Sequence, residues 1–456
     1  MRNLTPQINQ DQKKNAESLN HLMNDVLKRA HKQGATDAAV AVNHDQGFGV
    51  DVRMGAVETV AFSEEKGVSI AVYIGHKKGS ATSSDTSPAA LDAMVHAAYE
   101  IAKVSAEDPC SGLPDAHLIS LDYPQLDLWH PWTITPEEAA ELAQTCEAHA
   151  RQLDKRIHNS DGVNFSTYNF CHGFANTRGF SGVVESSRHS MSCSLLAQEV
   201  SRNDGAMQRD YAYTTSRHPE GLMPIHELAA LAVKRTTDRL SPRQINTQKT
   251  PVLFSSRVSS SLLSSFIQAI SGASLYRKNS FLLDSIGQTI FPNHINIYEA
   301  PHLLGALGST PFDGEGIITR NNHLIECGIL KQYVLNSYSA RKLGLQTTAN
   351  CGGVANLTVD ATAGDLPELL KTMDRGLLVT ELMGQGVNGI TGDYSRGASG
   401  FWVEHGQIQY PVDEVTIAGN LKDMYLNILA VGSDINPSTA TRCGSILIEE
   451  MTVAGG

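Results

Sequence analysis

The stretch DAAVAVNHDQGFGVDVRMGAVETVAFSEEKGVSIAVYI, residues 37–74, decides the fold of the first half of this chain. Apolar residues alternate with small or polar ones in DAAVAV (37–42), GFGVDVRM (47–54), AVETVAF (56–62) and GVSIAVYI (67–74). Successive side chains of a strand point to opposite faces, so this alternation predicts half-buried strands. Their close spacing, continued by KGSATSS (78–84), predicts a meander of short antiparallel strands. Helical periods flank the run on both sides. Leu19, Leu22, Met23, Val26, Leu27 and Ala30 recur at three- and four-residue steps ahead of Gly34. Beyond the strands, Ser87-Pro88 reads as an N-cap with proline at the first helical position, opening a helix through His96 and Ile101.

The same succession then returns. Thr135-Pro136-Glu137-Glu138 has the spacing of a capping box and predicts a helix to about Asp154. Strand-like segments follow between about 163 and 215, and a helix from His226 to Leu240. Helix, strands, helix, twice over, is a loosely doubled α+β unit without a residue-level repeat. The polar stretch from Ser241 through Pro251 is the best boundary. Of the 38 glycines, 24 lie beyond residue 250, so turns are denser there and the second half should be mainly β, with helices near 258–274 and 365–375. The expected fold class is α+β. A polar, mobile stretch (1–14) leads into an amino-terminal domain of helices packed on antiparallel sheet (15–240); a linker (241–251) and a β-rich carboxy-terminal domain (252–456) follow.

Composition narrows the function classes. Lys plus Arg is 36 and Asp plus Glu is 48, a net charge of −12, which argues against a nucleic-acid binder because phosphate neutralisation needs a concentrated basic face. No stretch approaches the roughly 18 apolar residues of a membrane span and no signal-peptide pattern opens the chain, so a cytoplasmic protein with no membrane partner is expected. Seven cysteines, widely spaced and without a C-x-x-C pair, fit reduced thiols better than a disulfide framework.

Familiar motifs fail on inspection. His226-Glu227 opens like a zinc helix, but Ala230 and Leu231 stand where a second imidazole would be needed. Gly384-x-Gly386-x-x-Gly389 matches a dinucleotide fingerprint, yet a turn-like run follows in place of the phosphate-binding helix. Tyr338 and Lys342 have the spacing of a dehydrogenase pair in the wrong chain order, and read as the exposed face of a short helix. What stands out is ELMGQGVNGITGDYSRGASGFWVE (381–404). Glycine at this density costs chain entropy, so it implies backbone conformations or close approaches that side chains forbid. It reads either as a floor for a peptide backbone or as a set of tight β-turns.

YRKNSFLLDSIG (276–287), STPFDGEG (309–316), NSYSARKLGL (336–345), the segment 381–412 and TIAGNLKDM (416–424), with GSATSSDTSP (79–88) and RDYAYT (209–214), closely resemble the TldD/PmbA (TldD/TldE) metallopeptidase family, in its PmbA/TldE branch that lacks HExxxH. The likeness covers essentially the whole chain. It implies an α+β domain followed by a β-rich one, and a cytoplasmic bacterial protein paired with a TldD-like subunit in a zinc-dependent protease. The substrates implied are unfolded or extended peptides, with roles in microcin-type peptide maturation and antitoxin degradation. An older family label is modulator of DNA gyrase.

Carried over by position, the family's metal-helix window falls at Ser264-Ser265-Phe266-Ile267-Gln268-Ala269, with neither imidazole nor general-base carboxylate. Cys443 falls where the family's cysteine ligand lies and is expected to be a remnant or a packed thiol. The resemblance therefore implies no metal and no catalytic residue in this chain, and zinc on the partner. Read as a floor for a peptide, the glycine-dense segment supplies the substrate-groove candidates Gly384, Gly386, Gly389, Gly392, Asp393, Tyr394, Arg396, Gly397 and Gly400, with Asp393 and Arg396 either orienting a peptide or pairing within a turn. Two readings remain beside that of a non-catalytic subunit: a regulatory protein of the gyrase-modulator type, and an independent metallopeptidase with unrecognised ligands. Self-association of the isolated chain is left open.

Overall fold

The computed structural model describes residues 5–199 and 207–455. Its first half is α1 (Thr5–Gln33), β1 (Asp37–Arg53), β2 (Ala56–Ile74), β3 (Lys77–Ser83) and α2 (Pro88–Val104), followed by α3 (Pro136–Leu153), β4 (Ile157–Asn176), β5 (Ser181–Ala197), β6 (Gln208–Ser216) and α4 (Ile225–Asp238). The doubling is plain: helix, three strands, helix occurs twice. The six strands form one antiparallel sheet in the order β3-β2-β1-β4-β5-β6, so the two halves join where β1 pairs with β4, from Ala39–Asn176 to Val52–Val163. Residues 1–4 of the expected mobile stretch lie outside the described residues, and α1 begins at Thr5, well ahead of the expected start.

The expected meander of short strands is corrected to two long ones. Glycines that look like breaks in the sequence mark close approach instead. A Cβ on Gly47 would lie 2.2 Å from the Thr167 carbonyl oxygen, and one on Gly67 would lie 2.5 Å from Asn43 Oδ1. The turn comes at Met54-Gly55, where φ is 51° and 81°, as a two-residue hairpin requires. Both turn amides donate to the carboxylate of Glu147 on α3, at 2.9 and 2.7 Å, which accounts for a glutamate only 1% exposed. At the start of α3 the capping box is present: Thr135 N–H donates to Glu138 Oε2 and Glu138 N–H to Thr135 Oγ1.

Each helix pair covers its own end of the sheet. α1 and α2 bury Met23, Val26, Leu91 and Val95 with Val40, Ile70 and Val72, while α3 and α4 bury Ala143, Cys146, Leu228 and Ala232 with Val50, Phe165 and Leu195.

The second half opens with β7 (Gln248–Phe254), α5 (Ser259–Ala269) and α6 (Gly272–Tyr276). The helix expected over 258–274 is thus two, because Val334 takes the Ile270 carbonyl and accepts from Gly272 N–H, drawing a loop into the break. A small sheet follows, ordered β10-β9-β8-β11, from β8 (Ile297–Glu299), β9 (His323–Glu326), β10 (Ile329–Leu330) and β11 (Leu357–Val359), with α7 (Ser337–Leu343) and α8 (Leu366–Met373) beside it in sequence. The chain ends with β12 (Gly376–Met383), β13 (Asp393–Glu404), β14 (Gln407–Asn420), α9 (Leu421–Leu426), β15 (Ile428–Val431) and β16 (Ile446–Ala454). These strands and β7 order as β14-β13-β12-β7-β16-β15, and β14 also pairs with β16, which closes a barrel. α5 sets Leu262, Leu263 and Phe266 into the core with Phe254, Phe291 and Tyr425, and the Tyr425 hydroxyl donates to the Leu262 carbonyl. The fold is α+β with a mainly β second half, as the sequence led us to expect.

Candidate functional site

α5 and α6 form a wall with a groove on either side. One groove, of about 770 Å³, lies between Gln268, Arg277 and Asn279 on the helical side and the β12–β13 connection on the other. A second, of about 450 Å³, is bounded by Ser264, Ile267, Tyr276, Asn336 and Tyr338. Gln268 and Ala273 line both, so α5, the helix of the expected metal window, separates them.

The glycine-dense segment is the far wall of the first groove. It is a long connection between antiparallel strands, and β13 follows it, so the dinucleotide fingerprint has no helix to act with. The loop is cross-tied: Asn388 N–H donates to the Asp393 carbonyl, Gly392 N–H to Asn388, Ser395 N–H to Gly386 and Phe281 N–H to Gly389. Among the residues singled out by sequence, Gly386, Gly389 and Asp393 line the groove. Their glycines serve different ends. A Cβ on Gly386 would lie 1.7 Å from the Ser395 carbonyl oxygen and one on Gly400 1.8 Å from that of Leu378, so both are demanded by strand contact. Gly384 and Gly392 have φ of 75° and 84°, which side chains resist. Gly397 abuts Met383. Gly389 is uncrowded, since a Cβ there would make one ordinary contact, 3.9 Å from the Asn279 carbonyl oxygen.

Asp393 accepts from Thr391 Oγ1 at 2.6 Å and from Asn420 Nδ2 at 3.1 Å, and these hydrogen bonds hold its carboxyl below the usual range. Tyr394 points the other way. It is 2% exposed in the barrel core, where burial pushes its phenol up to about 12 and the neighbouring Arg396 opposes that rise. Tyr394 and Gly400 thus belong to the barrel and not to the groove surface.

The metal window offers no metal chemistry. Ser264 and Ser265 turn their hydroxyls back onto the carbonyls of Ser260 and Ser261, and Ala269 is buried in the core. Cys443 is 3% exposed below the first turn of α5, and burial raises its thiol to about 12 despite the adjacent Ser259 hydroxyl. Two hydroxyls, a methyl group and a buried neutral thiol do not fit zinc, which takes thiolate, imidazole or carboxylate. Among the described residues no three His, Cys, Asp or Glu side chains converge to hold a metal ion.

Polar anchors hold these walls in place. Tyr338 and Lys342 do lie on a short helix, α7, where Lys342 is exposed and Tyr338 half-buried, and both are tied to the first half of the chain. Tyr338 Oη donates to Asp108 Oδ2 at 2.8 Å and Lys342 Nζ lies 3.0 Å from Oδ1. The Tyr338 hydrogen bond, with the Cys110 amide and Lys342, draws Asp108 down to about 2. Arg341, between them, donates to the carbonyls of Cys110, Gly112 and Leu113. At the other end, Arg257 just before α5 makes two hydrogen bonds, at 3.0 and 2.5 Å, to Asp210 of β6. Burial alone would raise Asp210, but Arg257 and Arg239 bring it below its ordinary value, and Arg239 also binds Glu381 at the root of the glycine-dense segment. A smaller cavity of about 290 Å³ holds Glu299 and Asp313, both raised by burial, Asp313 to about 6. Sequence reasoning reached Gln268 only as a position of the metal-helix window, and Arg277 and Asn279 only as members of the family-like stretch 276–287; none was read as lining a groove, because none carries a chemical signature by type.

Comparison with known proteins bears on identity. The family models for the PmbA/TldA metallopeptidase match in order: domain 1 over residues 38–102, the central domain over 129–240 and the C-terminal domain over 247–455. Metalloprotease PmbA of Escherichia coli O157:H7 is 48% identical over 92% of this chain and 93% of its own length. The Metalloprotease PmbA homolog of Haemophilus influenzae is 44% identical over 94% of each. Among solved structures, a candidate modulator of DNA gyrase from Bacteroides thetaiotaomicron superposes with a TM-score of 0.90 at 26% identity, covering 96% of this chain and 98% of that one. TldE from Thermococcus kodakarensis shares the fold, with a TM-score of 0.83 at 20% identity over 95% and 100% of the two chains. Among the described residues no helix is long and apolar enough to cross a membrane. Matched in all three domains, and nearly half identical to a relative along almost its whole length, the chain belongs to the PmbA/TldD metallopeptidase family.

Proposed function

We propose that this chain is the PmbA/TldE-type subunit of a cytoplasmic TldD/TldE-type protease, building part of the chamber that receives unfolded or extended peptides while zinc is carried by a TldD-like partner. The observation that carries this reading is the wall itself: the helix where the family places its metal ligands separates two grooves and lines them with Ser264, Ile267 and Gln268, none of which suits zinc. An extended peptide needs room more than selective pockets, and the loop from Gln385 to Ile390 lines the groove along its length. Relatives named metalloproteases support a second reading, that the chain cleaves peptides by itself.

One experiment separates the two. Zinc content and hydrolysis of an unfolded peptide are measured for this chain, for a TldD-like subunit, and for their mixture. The proposal expects well under one zinc per molecule of this chain, no cleavage by it alone, and cleavage by the mixture. Stoichiometric zinc with activity in the isolated chain would establish the second reading. Within the mixture, Gly389→Val is the informative groove variant, since a Cβ there makes only one ordinary contact, at 3.9 Å, whereas valine at Gly392 would strain the backbone first.

A further inference from the structure

Two charged residues line the first groove, Arg277 on the helical side and Asp393 on the other. Asp393 is already engaged. Its Oδ2 accepts from Thr391 and its Oδ1 from Asn420, so both carboxylate oxygens are occupied within the protein. Arg277 is exposed, and among the described residues no carboxylate lies within ion-pairing distance of its guanidinium.

The position of Arg277 is nonetheless fixed. Lys278 N–H donates to the Leu275 carbonyl at 2.9 Å and Asn279 N–H to that of Ser274 at 2.8 Å, which folds residues 277–279 back against the end of α6. The guanidinium carbon lies 5.5 Å from the centre of the Tyr276 ring, and that ring packs edge-on against Tyr338, whose hydroxyl is tied to Asp108. A guanidinium set over a ring keeps the N–H donors of its plane free for a second partner.

The polar lining beside it is neutral and unspent. Gln268, Asn279 and Gln385 make no side-chain hydrogen bond among the described residues, and Asn388 commits only its Oδ1, to the amides of Ile390 and Thr391. A carboxamide offers a donor beside an acceptor, as a peptide unit does, so these groups match a main chain whatever its sequence. The group that discriminates is the unpaired cation. Its complement is a carboxylate, which a guanidinium takes through two parallel N–H bonds.

We propose that Arg277 anchors a carboxylate of the bound peptide, so that this chain alone binds extended peptides and favours those that present such a group to the groove. The carboxylate comes from a free carboxy terminus or from a Glu or Asp side chain, which present the same planar anion. At about 770 Å³ the groove has room for a short stretch of peptide and not for a folded chain. The inference rests on the reading of this groove as a peptide site, and needs neither the partner subunit nor zinc.

The test is fluorescence anisotropy of labelled peptides on the isolated full chain, in EDTA and without a partner. One flexible, uncharged sequence with an uncharged dye at its amino terminus is compared in four versions: with a free carboxy terminus, amidated, amidated with one internal Glu, and amidated with Gln in place of that Glu. At least one carboxylate-bearing version should bind about tenfold more tightly than the two that have none. Tight binding of the free-terminus peptide identifies the terminal source, and that of the Glu peptide the side-chain source. Arg277→Gln should abolish the preference while leaving the weaker binding common to all four, and the melting temperature, unchanged. Lys278→Gln, which removes a neighbouring cation that does not line the groove, should keep the preference. Raising NaCl from about 0.05 to 0.5 M should narrow it. Equal affinity for all four peptides, no binding by any, or a preference that survives Arg277→Gln or is lost equally in Lys278→Gln would overturn the proposal. None of these outcomes bears on which subunit carries zinc, which the metal and cleavage measurements decide separately.

Discussion

The amino-terminal sheet and the carboxy-terminal barrel each have six strands, and they treat their edges in opposite ways. The barrel returns β14 to β16, so its inner backbone is paired all round, and it relies on glycines such as Gly400 to let strands meet at short distance. The open sheet keeps long strands, covers one face with two helix pairs, and leaves eleven residues of β2 with a single neighbour. Closure makes a rigid frame for the groove walls at the cost of tolerance to substitution, whereas the open sheet leaves a strand edge exposed.

Four substitutions can break or sharpen that contrast, in descending order of effect. Gly400→Val should prevent the barrel from closing, because its first side-chain atom would lie 1.8 Å from the Leu378 carbonyl; a loss above about 4 kcal/mol, or no folded protein, is expected in urea titration. Equal stability to wild type would mean that the barrel can open at that pair. Arg257→Ala tests the junction between the two halves. It leaves Asp210 buried without its main cation, and should cost about 3–5 kcal/mol by the same measurement.

Asp313→Asn comes third, and its effect depends on pH. The Asp313 carboxylate accepts N–H bonds from Glu315, Ile317 and Cys351, yet burial outweighs them and raises it to about 6 from 3.8. A carboxyl raised on folding binds its proton more tightly in the folded state. Its stabilisation is therefore full below about pH 3.8 and is lost as pH rises through 6, a difference of roughly 3 kcal/mol by neutral pH. The asparagine should be less stable than wild type near pH 5 by about 1–3 kcal/mol, since its amide N–H would face a backbone N–H, and the gap should narrow toward pH 7.5. A constant gap across melts at those two pH values would contradict the assignment. Last, Gly389→Ala should change stability by no more than about 0.5 kcal/mol, because its Cβ meets only the Asn279 carbonyl oxygen, at an ordinary 3.9 Å; a larger loss would show that this glycine, like Gly386, is held by the frame.

Legibility in the sequence followed how local each determinant is. The Thr135–Glu138 box, the Ser87-Pro88 start and the doubled order of helices and strands were readable because each depends on neighbours within a few residues. The long strands were not, because Gly47 and Gly67 look like turns until their cross-strand partners, Thr167 and Asn43, are known. The break between α5 and α6 depends on Val334, some sixty residues away. At the site, the glycine-dense segment brings Gly386, Gly389 and Asp393 to a groove, but Tyr394 shows the limit: two glycines and an arginine around it gave no sign that it faces the barrel core.

The joint between β1 and β4 has a bearing on how the chain reaches this shape. The β1–β2 and β4–β5 hairpins close turns of a few residues, whereas β1 and β4 pair residues more than a hundred positions apart, Val52 with Val163 being nearest in sequence. Closing a long loop must precede the contacts that reward it, so each hairpin with its helices should assemble early and the joint should be the slow step. Pulsed hydrogen exchange during refolding should then protect amides of Ala61 and Met191 before those that bridge β1 to β4. The doubled unit would in that case be two quickly made halves waiting for a single late seam.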